Sequence, residues 1–161
     1  MAQNAILHLM NGFGDASISW IVHRLIQHLG QEDYSWHVAG LSGRGTMQGH
    51  FRQLNVRLVD FGESPNSQKF LPLRIRHYLS YHQIRIIHTH TPRTIFQAAM
   101  ATNHLQSIIH ITTKHLLTQP QDRRFGLMIA LFDRLGLYLP DYLVTVSQTM
   151  FSSSFITPIS P

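Results

Sequence analysis

The chain has no cysteine among its 161 residues, which excludes disulfides and thiolate metal sites and fits a reducing compartment. No apolar run approaches the roughly 18 residues that cross a bilayer. The apolar piece from Ala5 to Met10 has no basic residues before it and no long hydrophobic region, so it reads as a strand and not as a signal peptide. Charged residues are only 13% of the chain, yet 43% is hydrophobic, and that balance belongs to a folded domain and not to a disordered one. The cations are scattered as Arg74 and Arg76, Arg85, and Arg123 and Arg124. With no basic block and no aromatics interleaved with the cations, a dedicated nucleic-acid binder is not indicated. A Gly-x-Ser-x-Gly elbow is also missing, so a serine hydrolase has no support.

The chain does hold a net charge of +5 and twelve histidines. That charge favours phosphates, anionic lipid or acidic substrates as partners, and is equally compatible with a basic surface that binds nothing. A chain of this length makes about one domain with a proper core.

Hydrophobic periodicity predicts alternating strands and helices. Ala5 to Met10 is a strand, Asn11 to Gly14 a glycine-bearing turn, and Ile18, Ile21, Val22, Leu25, Ile26 and Leu29 one face of a helix. Asp15 or Ser17 can cap that helix and Gly30 can end it. A second strand runs from Ser35 to Leu41, a short helix from Thr46 to Leu54 and a third strand from Val56 to Phe61. A helix over about Lys69 to His82 has Leu71, Ile75, Tyr78 and Leu79 inward, with Pro72 tolerated only in its first turn. Ile84 to His90 is the fourth strand, followed by a helix from Pro92 to about His104 carrying Ile95, Phe96, Ala99 and Met100. A fifth strand spans Ser107 to Thr112, a loop Thr113 to Asp122, a helix Phe125 to Leu135, and a sixth strand Tyr142 to Val146. The segment 151–161 has neither helix nor strand logic. The alternation predicts an α/β fold: a Rossmann-like three-layer domain with a mostly parallel sheet of about six strands and helices on both faces.

The fourth strand ends in His88-Thr89-His90. Side chains two apart on a strand share a face, and the carboxyl ends of parallel strands are where such sheets bind ligands. One reading is a metal site, which needs further ligands, with His8 on the first strand and His115 after the fifth as candidates. A second is neutral histidine binding a sugar or phosphate oxygen. A third is a buried histidine satisfied by the backbone. These coexist if His88 is structural and His90 lies nearer the ligand. The turn Gly12-Phe13-Gly14 opens a helix whose backbone N–H groups can meet an anion, although Ser17 stands at the third glycine position and no P-loop lysine follows. Lys114 and His115 fall where a crevice loop belongs, and Ser147 follows the sixth strand, where it can also cap the next helix.

The order of strand, glycine turn and long helix, then Ile86-Ile87-His88-Thr89-His90, Ile111-Thr112-Thr113-Lys114-His115 and Tyr142-Leu143-Val144-Thr145-Val146-Ser147, resembles the N-terminal domain of retaining GT-B glycosyltransferases, and more closely the family 4 group. The resemblance covers residues 5–150 and implies an acceptor-side domain facing a nucleotide-sugar domain across a cleft. It implies Gly12 and Gly14 as the donor-phosphate loop, His90 as the catalytic histidine, and Lys114, His115 and Ser147 as cleft-lining or acceptor residues. Metal and cofactor are expected to be none, with a nucleotide-sugar as donor substrate and a sugar or lipid-linked sugar as acceptor. The family's paired glycines and following glutamate are here Gly12-Phe13-Gly14-Asp15, and its aspartate before the Ile-Ile-His run is Arg85. The paired-glutamate motif of the second domain is not in the chain. The expectation is therefore that residues 151–161 begin an interdomain linker, that the C-terminal domain acts in cis or in trans, and that the chain alone is inactive. The expected location is cytoplasmic, with peripheral association at an anionic inner membrane open to it. The alternatives are a non-catalytic Rossmann-like binding or interaction domain, and a His-x-His metal-dependent hydrolase.

Overall fold

The computed structural model describes residues 4–14, 16–30, 33–62, 70–115 and 138–146. In chain order these form β1 (Asn4–Met10), α1 (Ser17–Leu29), β2 (Tyr34–Gly40), α2 (Met47–Arg52), β3 (Arg57–Asp60), α3 (Leu71–Tyr81), β4 (Ile84–Thr89), α4 (Pro92–Thr102), β5 (Ile109–Lys114) and β6 (Tyr142–Thr145). The strands make one sheet in the order β3-β2-β1-β4-β5-β6, and every neighbouring pair is parallel. This is the Rossmann-like α/β fold that the alternation predicts. The expected helix over Phe125 to Leu135, the tail, Asp15 and Ser147 lie outside the described residues.

The pleat divides the core into two clusters. Leu7 and Leu9 of β1 point to one side, where they meet Ile75 and Leu79 of α3 and Ala98 and Ala101 of α4. Ile6 and Met10 point to the other, against Val22 and Ile26 of α1 and Met47 and Phe51 of α2. Leu7 and Leu9 are fully buried, and burial of such a side chain is worth about 1.5–3 kcal/mol. Because β1 is covered on both faces it reads as a continuous apolar run from Ala5, and the one buried polar residue in it, His8, is the exception that needs explaining.

Some expectations shift. The N-cap of α1 is Ala16, with no side-chain cap bond, so Ser17 is the first helical residue and not the cap. Ile21 and Leu29 are exposed, leaving Val22 and Ile26 as the buried apolar seam. On α4 the buried face is Thr94, Ile95, Ala98 and Ala101, while Met100 is half exposed. Small residues let α4 lie close to the sheet, so the larger Met100 turns out. β5 begins and ends two residues later than its apolar run suggests. Its Ile111 to Lys114 pair with Tyr142 to Thr145 of β6, so Thr113 and Lys114 belong to the sheet and not to a loop. A cross-link of main chain and side chain fixes this register: the His110 N–H donates to Asp141 Oδ2 and the Asp141 N–H donates to the His110 carbonyl, each at 2.8 Å.

β1 and β4 are adjacent, yet the chain leaves β1 toward β2 and leaves β4 toward β5. The connections thus diverge at the carboxyl ends of β1 and β4, and a crevice forms there in sheets of this kind.

Candidate functional site

The turn after β1 is built around Phe13, which is 1% exposed. Its ring packs edge-on against Phe51 of α2, and its carbonyl accepts the N–H of Met47 at 3.0 Å. Gly12 has no room for a side chain, because a Cβ there would stand 2.7 Å from the Ser42 carbonyl oxygen. Gly14 is exposed, and a Cβ there would meet nothing within 4 Å. So Gly12 is set by packing, while Gly14 leaves an open approach to the first turn of α1.

The turn after β4 is held by a capping box. Thr91 is the N-cap of α4 and its Oγ1 accepts the Thr94 N–H at 3.4 Å, while Thr94 Oγ1 accepts the Thr91 N–H at 3.0 Å. Thr91 Oγ1 also lies 3.0 Å from Asn11 Oδ1, to which it can donate. This bond ties the two turns together and places His90 and Gly12 each one residue from it.

Beneath the turns is a column of imidazoles on the α1 side of the sheet. His8 and His88 are register partners on β1 and β4, with ring centroids 5.0 Å apart. His8 Nδ1 lies 3.3 Å from His90 Nε2, and His90 Nδ1 lies 3.1 Å from His115 Nε2. His88 Nε2 lies 2.7 Å from Thr113 Oγ1. The second nitrogen of His8, Nε2, is buried without a partner. A buried lone pair costs less than a buried orphan N–H. The favoured proton order is therefore His8 Nδ1–H donating to His90 Nε2 and His90 Nδ1–H donating to His115 Nε2, which leaves the His115 proton on Nδ1.

Burial keeps these rings neutral. Desolvation, with His88 adding repulsion, lowers the pKa of His8 well below 6.5, and desolvation with His88, His8 and His115 does the same for His90. His88 is lowered to about 4 by desolvation first and by His115 and His110 after it. His115, half-buried, is lowered by desolvation. No carboxylate contributes to any of these shifts, so the four rings act as neutral donors and acceptors at pH 7.

The structure thus gathers Gly12, Gly14, His8, His88, His90 and His115, all of them singled out from sequence. Lys114, half-buried at the end of β5, is next in sequence to His115. Ser147 lies outside the described residues. Of the histidine pair, His90 is 5% exposed with both nitrogens engaged, and His88 is half-buried. His115 is the half-buried end of the column. Sequence offers His8 as a candidate further ligand for the His88–His90 pair, and the register of β1 and β4, which spacing alone does not give, sets it directly beside His88.

No curated protein sequence matches the chain. Among solved structures, several share its fold. The Anabaena protein HepE, solved with UDP and glucose, matches with a TM-score of 0.67 at 14% identity, covering 93% of this chain and 41% of that one. A protein from Listeria monocytogenes assigned as a UDP-N-acetylglucosamine 2-epimerase gives 0.65 at 11%, covering 96% and 42%. The UDP-GlcNAc 2-epimerase of Methanocaldococcus jannaschii gives 0.62 at 15%, covering 94% and 42%. The chain spans about two fifths of the length of these proteins. At such identities they show the fold alone. The family model that describes Glycosyltransferase Family 4 matches residues 18–152, most of the chain, and this protein belongs to that family.

Proposed function

We propose that the chain forms the acceptor-side wall of a sugar-transfer cleft, with a nucleotide-sugar as donor and a sugar or lipid-linked sugar as acceptor. The observation that carries this reading is the meeting of an open glycine turn and a neutral histidine column at the β1–β4 divergence, in a chain of a glycosyltransferase family. Gly14 lets a diphosphate approach the first turn of α1. His115, through Nδ1–H, donates to a ligand oxygen, and His90 holds that ring in its tautomer and orientation. His90 is then a positioning residue that acts through His115. Lys114, next in sequence to His115, adds positive charge at this end of β5, and Ser147, which follows β6 in sequence, is a further candidate for the acceptor.

A second α/β domain, in cis or in trans, supplies the opposite wall and most of the donor contacts, and the chain alone does not turn over. No step in this reading uses a metal or a cofactor. The absence of cysteine and the charge of +5 support a cytoplasmic place with peripheral contact to anionic lipid. No described helix is long and apolar enough to cross a membrane.

The test is calorimetry of the 161-residue chain with UDP-glucose, alongside a transfer assay with and without a family 4 C-terminal domain. The expected result is donor affinity weaker than about 1 mM for the chain alone, which corresponds to only about 4 kcal/mol of binding, and transfer only with the second domain. Micromolar donor binding or transfer by the chain alone overturns the reading.

A further inference from the structure

We propose that His8, His88 and His90 form a binding site for one divalent transition-metal ion of the Zn²⁺ class, clamping β1 to β4 beneath the cleft. One nitrogen from each ring lies within 4.8 Å of the others. The pair His8 Nδ1 and His90 Nε2 stands 3.3 Å apart. Two nitrogens bound tetrahedrally at about 2.0–2.1 Å are separated by about 3.3–3.4 Å, so this pair already has the spacing of two ligands on one ion. The third nitrogen, on His88, closes the set by a small turn of a half-buried ring.

The surroundings suit a ligand set. Metal-bound histidine is oriented by a partner on its other nitrogen. His90 has that partner in His115, reached from Nδ1, and His88 has it in Thr113, reached from Nε2. His8 has none on Nε2, and its ring is held instead by stacking on Trp36, 5.7 Å between centroids. An ion would sit between His8 Nδ1 and His90 Nε2, and the proton that Nδ1 gives up would move to Nε2 of the same ring, which keeps His8 neutral at the cost of one buried N–H without a partner. His90 would keep Nδ1–H donating to His115, so the cleft-facing end of the column is undisturbed. Neutral imidazoles are what such an ion requires, and burial keeps these three rings neutral. A set made only of imidazole nitrogens selects Zn²⁺, Cu²⁺ or Ni²⁺ over Mg²⁺ and Ca²⁺, which prefer oxygen.

This inference is independent of the sugar-transfer reading, since an ion can clamp the strands whether or not the cleft transfers sugar. The test is titration of the metal-stripped 161-residue chain with Zn²⁺ by calorimetry, and with Co²⁺ by visible absorption. Expected are one equivalent bound and the intense absorption of a tetrahedral Co²⁺ site. His8→Gln and His88→Gln each weaken Zn²⁺ binding by at least about tenfold, since each removes one of three ligands. His50→Gln, which alters the His23–His50 pair between α1 and α2 (ring centroids 6.1 Å apart), leaves it unchanged. Should His8→Gln not fold, the half-buried His88→Gln and the Co²⁺ spectrum of the unaltered chain decide the matter. No one-equivalent binding, an octahedral Co²⁺ spectrum, affinity unchanged in His88→Gln, or loss in His50→Gln overturns the proposal.

Discussion

His8 and His88 sit side by side on β1 and β4, register partners with ring centroids 5.0 Å apart. Both are kept neutral chiefly by loss of water, and each resists protonation further because its neighbours are also imidazoles. The pair makes the fold sensitive to acid in a particular window.

The folded pKa values of His88, His110 and His37 are lowered to about 4 from 6.5, and those of His8 and His90 are lowered as well. Between pH 6.5 and about 4 the unfolded chain therefore binds more protons than the folded one. Stability is fully present above 6.5 and is lost as pH falls through that window. Each well-buried ring contributes a slope of up to about 1.4 kcal/mol per pH unit, and half-buried His37 contributes less because water screens it. Urea unfolding midpoints from pH 8 to pH 4.5 should be level at first and then drop steeply. A midpoint that stays level down to pH 4.5 would show that the column is charged or open in the folded state.

The two glycines of the first turn should answer differently to alanine. Gly14→Ala meets open space and should change stability by less than about 0.5 kcal/mol. In a two-domain enzyme it should nevertheless weaken donor binding, because a methyl group would stand in the approach to α1. Gly12→Ala, by contrast, sets a Cβ 2.7 Å from the Ser42 carbonyl oxygen and must displace main chain, at a cost of about 1–3 kcal/mol. Thermal unfolding of both variants, with donor titration of the first, separates a packing glycine from a ligand glycine. Equal destabilisation by the two would contradict the assignment.

What was legible in the sequence is what periodicity encodes. The apolar runs of β1 and β4, the glycine turn and Pro92 at the start of α4 fix the order of elements and hence the parallel sheet. Less legible was anything decided by neighbours across the sheet. Thr113 and Lys114 look like loop residues until β6 pairs with them. His8 can be named from sequence as a candidate partner of His88 and His90, but only the pairing of β1 with β4 sets the three rings side by side. His90 reads as the ligand-side histidine because it ends the strand, yet both its nitrogens are taken by rings from other strands or turns. Glycosyltransferase membership came from the order of motifs, none of which has enough information alone.

Thr91 joins three jobs in one hydroxyl: it accepts the Thr94 N–H, reaches Asn11 and starts α4 directly after His90. Thr91→Ala should cost about 1 kcal/mol, the usual worth of an N-cap, and Thr91→Ser should recover most of it. Amide exchange offers a further readout. In Thr91→Ala the protection lost should be concentrated in the first turn of α4 and at Asn11 to Gly14, because the bond between the turns is gone. Loss spread evenly over the sheet would mean that the hydroxyl supports the fold generally and does not couple the two turns.

The face that α4 turns to the sheet gives the sharpest packing test. By sequence pattern Ala99 and Met100 lie inward; in the structure Ala98 and Ala101 are fully buried and Met100 is 50% exposed. Ala98→Leu should therefore overpack the contact with α3 and the sheet and cost about 1–3 kcal/mol. Met100→Ala should lie within about 0.5 kcal/mol of the parent, since it opens no cavity. Chemical denaturation of the two variants decides between the faces. If Met100→Ala were the costlier change, by the 2–5 kcal/mol of a core methionine, α4 would be rotated from the position that sets Thr91 and His90 at the mouth of the cleft.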